Sequence, residues 1–218
     1  MNQNITIIPE NSDLISNLIR AVHRFYPLGF EFINEQFDGY QELKTIVDRK
    51  IKQVIENTIP EELLRLEIEL KNLFTGLPLY FDVHRNFPSY SVAIEIGKVE
   101  FPEFEKVQRL SLKISLLTNC YTFFLEEIIK HTSVTNSFGH PHFTVVISQN
   151  LQTESVRRIK EIVTECFPTY QFVDPKILFS IKTNGVPYGQ DHSDPKRDYS
   201  LFDFLFDSAP YINSSLSL

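Results

Sequence analysis

From Leu110 to Leu116 apolar and polar side chains alternate without a break, as Leu110, Leu112, Ile114 and Leu116 against Ser111, Lys113 and Ser115. A two-residue period marks a strand with one face toward a core and the other toward water. Tyr90, Val92, Ile94 and Ile96 repeat the pattern upstream, with Ser91, Ala93 and Glu95 between them. Alternation of this kind belongs to antiparallel sheets, because strands covered on both faces read as continuous apolar runs. The pattern predicts a one-sided sheet. Leu110, Leu112, Ile114 and Leu116 are expected to be buried, and Ser111, Lys113 and Ser115 to line the wetter face.

Ahead of the sheet the period is helical. Asn11, Ser12 and Asp13 offer N-cap chemistry to a run in which Leu14, Leu18, Val22 and Phe25 recur at helical spacing, and Pro27 and Gly29 stop it. A second helix is expected from about Tyr40 to Glu56. A third starts at Thr58, Ile59 and Pro60, with proline in the first turn and Glu61 and Glu62 at the positive end of the dipole. Beyond Gly76 and Pro78 the sequence predicts a hairpin of 79–84 and 89–96, a connection at 101–105, a strand at 110–117 and another at Cys120–Leu125. Glu126–His131 reads equally as helix or strand. His142–Ser148 reads as a strand, Thr153–Phe167 as a helix, and Tyr170–Val173 and Ile177–Lys182 as strands; a short strand is also expected at Ile5–Ile8. The stretch Thr183–Asp198, with Gly185, Pro187, Gly189 and Pro195, is a long loop of the kind that often carries function. Tyr199–Phe206 is dense in aromatics and is expected to dock on the body. The sum is one α+β domain over residues 1–218: a helical part at about 11–74, a mostly antiparallel, sheet-rich part packed by helices at about 79–182, and a loop and docking segment at 183–218.

Charge narrows the partners. The chain carries 28 acidic and 21 basic residues, a net charge of −7. Phosphate-backbone binding needs clustered Lys and Arg, and the densest basic run is Arg157, Arg158 and Lys160, so direct nucleic-acid binding is not expected. An acidic surface suits a basic protein partner. No window approaches eighteen apolar residues, and the first residues lack the basic start of a signal peptide, so neither membrane nor export is expected. Cys120 and Cys166 make neither a zinc motif nor a disulfide framework and read as buried thiols in a reducing cytoplasm.

Three constellations carry candidate chemistry. His131, Thr132, Ser133, Val134 and His142, Phe143, Thr144, Val145 both read His-x-Ser/Thr-apolar. This resembles the paired motif of the 2H phosphoesterases. The resemblance implies one histidine as acid and one as base on a phosphodiester, with the hydroxyls on the phosphate. The two motifs lie eleven residues apart here, whereas that family carries them in two well-separated, similar lobes. Asp191, His192 and Asp194 in the long loop, with His140 and His142, have the ligand types of a zinc or non-haem iron site, although a polar loop also gathers such residues for turns. Finally, extending the register of 110–116 across the next turn sets Tyr121 and Phe123 on the same outward side as Ser111 and Lys113. That makes Tyr121 and Phe123, together with Tyr188, Asp191 and Asp194, candidate partner contacts, unless a helix covers that face. The sequence reads as a non-enzymatic, acidic, cytoplasmic interaction protein without a cofactor, of the immunity or antitoxin kind, that occludes a basic toxin. The alternative is a small hydrolase or phosphoesterase using His131 and His142.

Overall fold

The computed structural model describes residues 12–29, 36–82, 87–135, 141–148, 153–189 and 198–207. Three helices come first: α1 (Ser12–Phe25), α2 (Asp38–Ile55) and α3 (Glu61–Leu73). Five strands then run as an antiparallel meander in chain order: β1 (Leu79–Asp82), β2 (Ser89–Glu100), β3 (Phe104–Ser115), β4 (Cys120–Thr135) and β5 (Pro141–Ser148). Helix α4 (Thr153–Cys166) leads to β6 (Gln171–Phe172), which pairs parallel with the start of β4. The chain continues through α5 (Pro175–Ser180), β7 (Lys182–Thr183), β8 (Tyr199–Ser200) and α6 (Leu201–Leu205), with β7 and β8 paired. The fold is α+β, with three helices first and then a mostly antiparallel sheet packed by further helices.

Cross-strand register decides what each side of the sheet presents. Val92, Leu112 and Phe123 share one row, and Tyr90, Ile114 and Tyr121 the next. These residues, with Ile94, Leu110 and Leu125, form a leucine face. Leu63, Leu66 and Leu70 of α3 and Ile159, Ile162, Val163 and Cys166 of α4 close over it. The opposite, serine face carries Ser89 and Ser91, Ser111, Lys113 and Ser115, and Cys120, Thr122 and Phe124. A second core packs there, from α1, α2, α5 and α6 against Leu117, Cys120 and Phe124.

The serine face is therefore not the wet side that alternation predicts. Ser115 and Thr122 are wholly buried, and Ser111 nearly so. The explanation lies in α6, whose last carbonyls have no partner within the helix. Tyr26 donates its hydroxyl to Phe204 O at 2.8 Å, Ser115 to Leu205 O at 2.9 Å, and Ser89 to Phe206 O at 3.1 Å. The strand serines thus bond the frayed end of a helix instead of water. Leu110, Leu112 and Ile114 are buried as expected, while Leu116, at the strand's end, is only partly covered.

Tyr121 and Phe123 also depart from expectation. Ile114 pairs with Tyr121 and Leu112 with Phe123, so even positions of β3 oppose odd positions of β4. The turn at 116–119 exchanges the parity and carries both rings into the leucine-face core, where they lie tilted against Phe172 with centroids 5.7 and 5.0 Å away. The segment 177–182 is mostly helix instead of strand. Asp174 accepts the Lys176 N–H at 2.8 Å and Pro175 follows it, a capped start that outweighs the β-leaning Ile177 and Phe179. Glu126–His131 resolves as strand, β2 runs to Glu100 past the predicted end at 96, and β3 starts at Phe104, within the predicted connection. The aromatic segment docks as expected, with Phe202, Phe204 and Phe206 wholly buried. The expected strand at Ile5–Ile8 lies outside the described residues.

Candidate functional site

The leucine-face core reaches Ile96 on β2 and Leu110 on β3. Past those points the hairpin of β2 and β3 extends as an arm. Its geometry starts at a register shift between Glu95 and Gly97, a bulge that leaves Ile96 extra and reverses the parity of the rest of β2. Gly97 follows the bulge, where a Cβ would come 3.3 Å from Gln108 Oε1, the end of a flexible side chain. After the bulge Val99 pairs with Lys106, and Lys98 with Val107. Val99 thereby moves to the leucine side of the sheet, beyond the helices, and is 52% exposed. Phe101, 44% exposed, stacks on Phe104 with centroids 4.5 Å apart at the tip.

The arm also carries a bare edge. β1 pairs with β2 only over Ser91–Ile94, so among the described residues no strand lies along the outer side of β2 from 97 to 100. Charges surround this apolar tip. Lys98 reaches Glu100 at 2.8 Å and Glu105 at 3.0 Å, and Lys106 and Gln108 both hold Glu127, at 2.9 and 3.1 Å. Hydrogen bonds from these partners keep the Glu100 and Glu127 carboxyls below the usual carboxylate range and lift the Lys98 ammonium above its own. Glu100, Glu103 and Glu105 outnumber Lys98 at the turn.

The two candidate histidines lie on the same sheet. β4 pairs with β5 so that His131 stands opposite His142 and Ile129 opposite Thr144, and β3 sets Phe104 opposite His131. Paired Cα atoms of adjacent antiparallel strands are about 4.5–5.5 Å apart, so the register brings together the two positions that open the repeated motif. By parity His131 lies on the face of the arm that carries Val99 and Lys106. Of the remaining sequence candidates, His140, Asp191, His192 and Asp194 lie outside the described residues. Tyr188 packs its ring 5.7 Å from Tyr40 against the serine-face core, and burial raises its phenol. Tyr121 and Phe123 are core residues, 2% and 4% exposed, and present no surface to a partner.

Sequence reasoning missed a charged cluster on the serine face. Lys113 binds Asp207 at 2.5 Å and Ser91 at 3.0 Å, in a setting where both charged side chains are largely buried. Toward the arm Arg109 lies 3.6 Å from Glu95, and its register partner is Glu126. Burial lifts the Glu126 carboxyl above the usual range, against the pull of Lys113, a hydrogen bond with Ser111 and Arg109, while Asp207 adds to the rise. Lys113 could have drawn attention as the one charge within the 110–116 alternation. Asp207 gave no signal, since its place depends on how α6 docks. Comparison of the chain with protein-family models, with curated proteins and with solved structures finds no match.

Proposed function

We propose that this chain is an acidic interaction protein and that a basic protein partner docks on the β2–β3 arm, adding an extended segment to the open edge at 97–100. The observation that carries the reading is the coincidence of that bare edge with exposed Val99 and Phe101. Unpaired strand edges recruit strands through main-chain hydrogen bonds, and flanking side chains set the choice. The acids at the tip and the net charge of −7 favour a basic occupant and steer its approach. A role of the immunity or antitoxin kind, in which a basic toxin is occluded, fits this chemistry. Cys120 and Cys166 are free, buried thiols, which suits a reducing cytoplasm. Among the described residues no helix is long and apolar enough to cross a membrane.

A second reading rests on the register of His131 with His142, which sets two imidazole-bearing positions side by side as acid–base chemistry on a phosphodiester requires. One experiment separates the two. A partner identified by co-purification and then made pure should bind saturably, and binding should weaken as salt rises, because Coulomb steering is screened over about 8 Å at physiological ionic strength. Val99→Lys combined with Phe101→Ala should weaken binding about tenfold or more, and His131→Ala combined with His142→Ala should leave it intact. Turnover of a cyclic phosphodiester by the parent, lost in the double histidine variant, would replace the interaction reading with the hydrolase one.

A further inference from the structure

The open edge of the arm carries a pattern complementary to itself. Phe101 donates its N–H to Phe104 O at 2.8 Å, next to the Glu100–Glu105 pair. In an antiparallel ladder such bonds alternate along the strand. Gly97, Val99 and Phe101 therefore turn their main-chain groups toward β3, and Lys98 and Glu100 turn theirs outward. Lys98, Val99, Glu100 and Phe101 are all exposed. The cover that β1 gives β2 ends at Pro78, whose carbonyl accepts the Glu95 N–H at 2.9 Å. On the leucine side, Gly97, Lys98, Val99, Phe101, Lys106 and Gln108 line a hollow of about 330 Å³, at the one position of this edge that has no side chain.

We propose that a second copy of this chain takes the edge when the partner is absent, antiparallel to the first about a twofold axis through Val99. That axis sets Lys98 against Glu100 of the second copy, and Glu100 against Lys98 of the second copy. Each such pair joins outward-facing residues and exchanges both of its main-chain hydrogen bonds. An axis through Lys98 or through Glu100 would instead oppose like charges directly. Val99 meets its own copy at the axis, in the close kind of cross-strand pair. Phe101 falls opposite Gly97 of the second copy, so each exposed ring covers the bare glycine and fills the hollow beside it, as aromatics do for glycines on strand edges. A symmetric pairing of this kind is closed, and association stops at two. One edge cannot hold a second copy and a basic partner together, so self-association keeps the arm paired until the partner displaces it. The dimer forms without that partner, so its failure leaves the docking reading standing.

Sedimentation equilibrium of the full chain alone, at physiological salt and from about 1 μM to 1 mM, tests it. Salt screens the net charge of −7 beyond about 8 Å, while the cross-strand pairs act at contact. A reversible monomer–dimer equilibrium is expected. Glu100→Lys and Lys98→Glu each oppose like charges on both sides of the axis and should weaken it about tenfold or more. Mixed in equal amounts, the two variants face each other with opposite charges and should associate about as well as the parent, a gain that damaged folds could not produce. Val99→Cys should cross-link under mild oxidation, because a Cα separation of about 4.5 Å admits a disulfide and Cys120 and Cys166 are buried. Four results overturn the assignment: a monomer throughout that range, single variants that dimerise like the parent, a mixture no better than either variant alone, or a dimer that Val99→Cys leaves without a cross-link.

Discussion

Glu126 shows how one residue's surroundings set a measurable pH dependence. Its carboxyl lies between the buried Lys113–Asp207 pair and the Glu95–Arg109 pair, and burial disfavours its charged form more than Lys113, Ser111 and Arg109 favour it. The folded-state pKa is therefore raised above the unfolded value. A carboxyl raised in this way binds its proton more tightly when folded, so stability falls as pH rises from the unfolded pKa, ordinarily about 4.3 for Glu, to the folded one. Above that the loss is complete. Glu126→Gln keeps a hydrogen-bonding amide beside Ser111 and removes the charge. It should melt above the parent at neutral pH, with the gap closing as pH drops below the ordinary carboxylate range. Thermal melts across roughly pH 4 to 8 check this; a variant less stable than the parent at neutral pH would mean that attraction to Lys113 and Arg109 exceeds the desolvation.

At the scale of elements, α6 explains why the serine face is dry and how firmly the C-terminal segment is held. The helix is opened by a capping box between Ser200 and Asp203 and closed by donors from other elements, the hydroxyls of Tyr26, Ser89 and Ser115. Lys113 and Asp207 then clasp the exit. Ser89→Ala or Ser115→Ala strands a buried carbonyl and should cost about 1–3 kcal/mol. Lys113→Met leaves Asp207 charged and unpaired and should cost about 3–5 kcal/mol, most of it recovered when Asp207→Leu is added. Denaturant titration of the four variants beside the parent measures this, and three single variants all within about 0.5 kcal/mol of the parent would show that these bonds do not hold α6. The same element marks where sequence reading stops. Helices α1 to α4 and the strands around Tyr90–Ile96 and Leu110–Ser115 are legible because their periodicity is local. The partner of Ser115 is not, because a serine that faces water and one that bonds a carbonyl 90 residues away give the same pattern. Tyr121 and Phe123 were misplaced for a related reason: the turn before them fixes register parity, and no alternation crosses it. The arm was not legible: the sequence predicts a connection at 101–105 where β2 and β3 run on to the tip, and the shift that carries Val99 to the leucine side shows only in the pairing of β2 with β3.

At the scale of the whole molecule, one sheet ties two cores together. Phe123 and Phe124 are adjacent in β4, yet Phe123 belongs to the core under α3 and α4, and Phe124 to the core under α1, α2, α5 and α6. Neither core can lose its floor without disturbing the backbone that carries the other, because interiors packed at crystal-like density transmit displacement and do not absorb it. The single domain expected from the sequence then becomes a testable thermodynamic expectation: both faces should melt in one transition. Leu66→Ala opens the core under α3 and should cost about 2–5 kcal/mol; Phe202→Ala opens the core around α6 and should cost about 3–5 kcal/mol. Each should shift the same single far-ultraviolet dichroism transition, although the substituted side chains lie on opposite faces of the sheet. Two calorimetric peaks, with each substitution moving only its own, would show that the faces unfold as separate units and that the sheet couples them less than Phe123 and Phe124 imply.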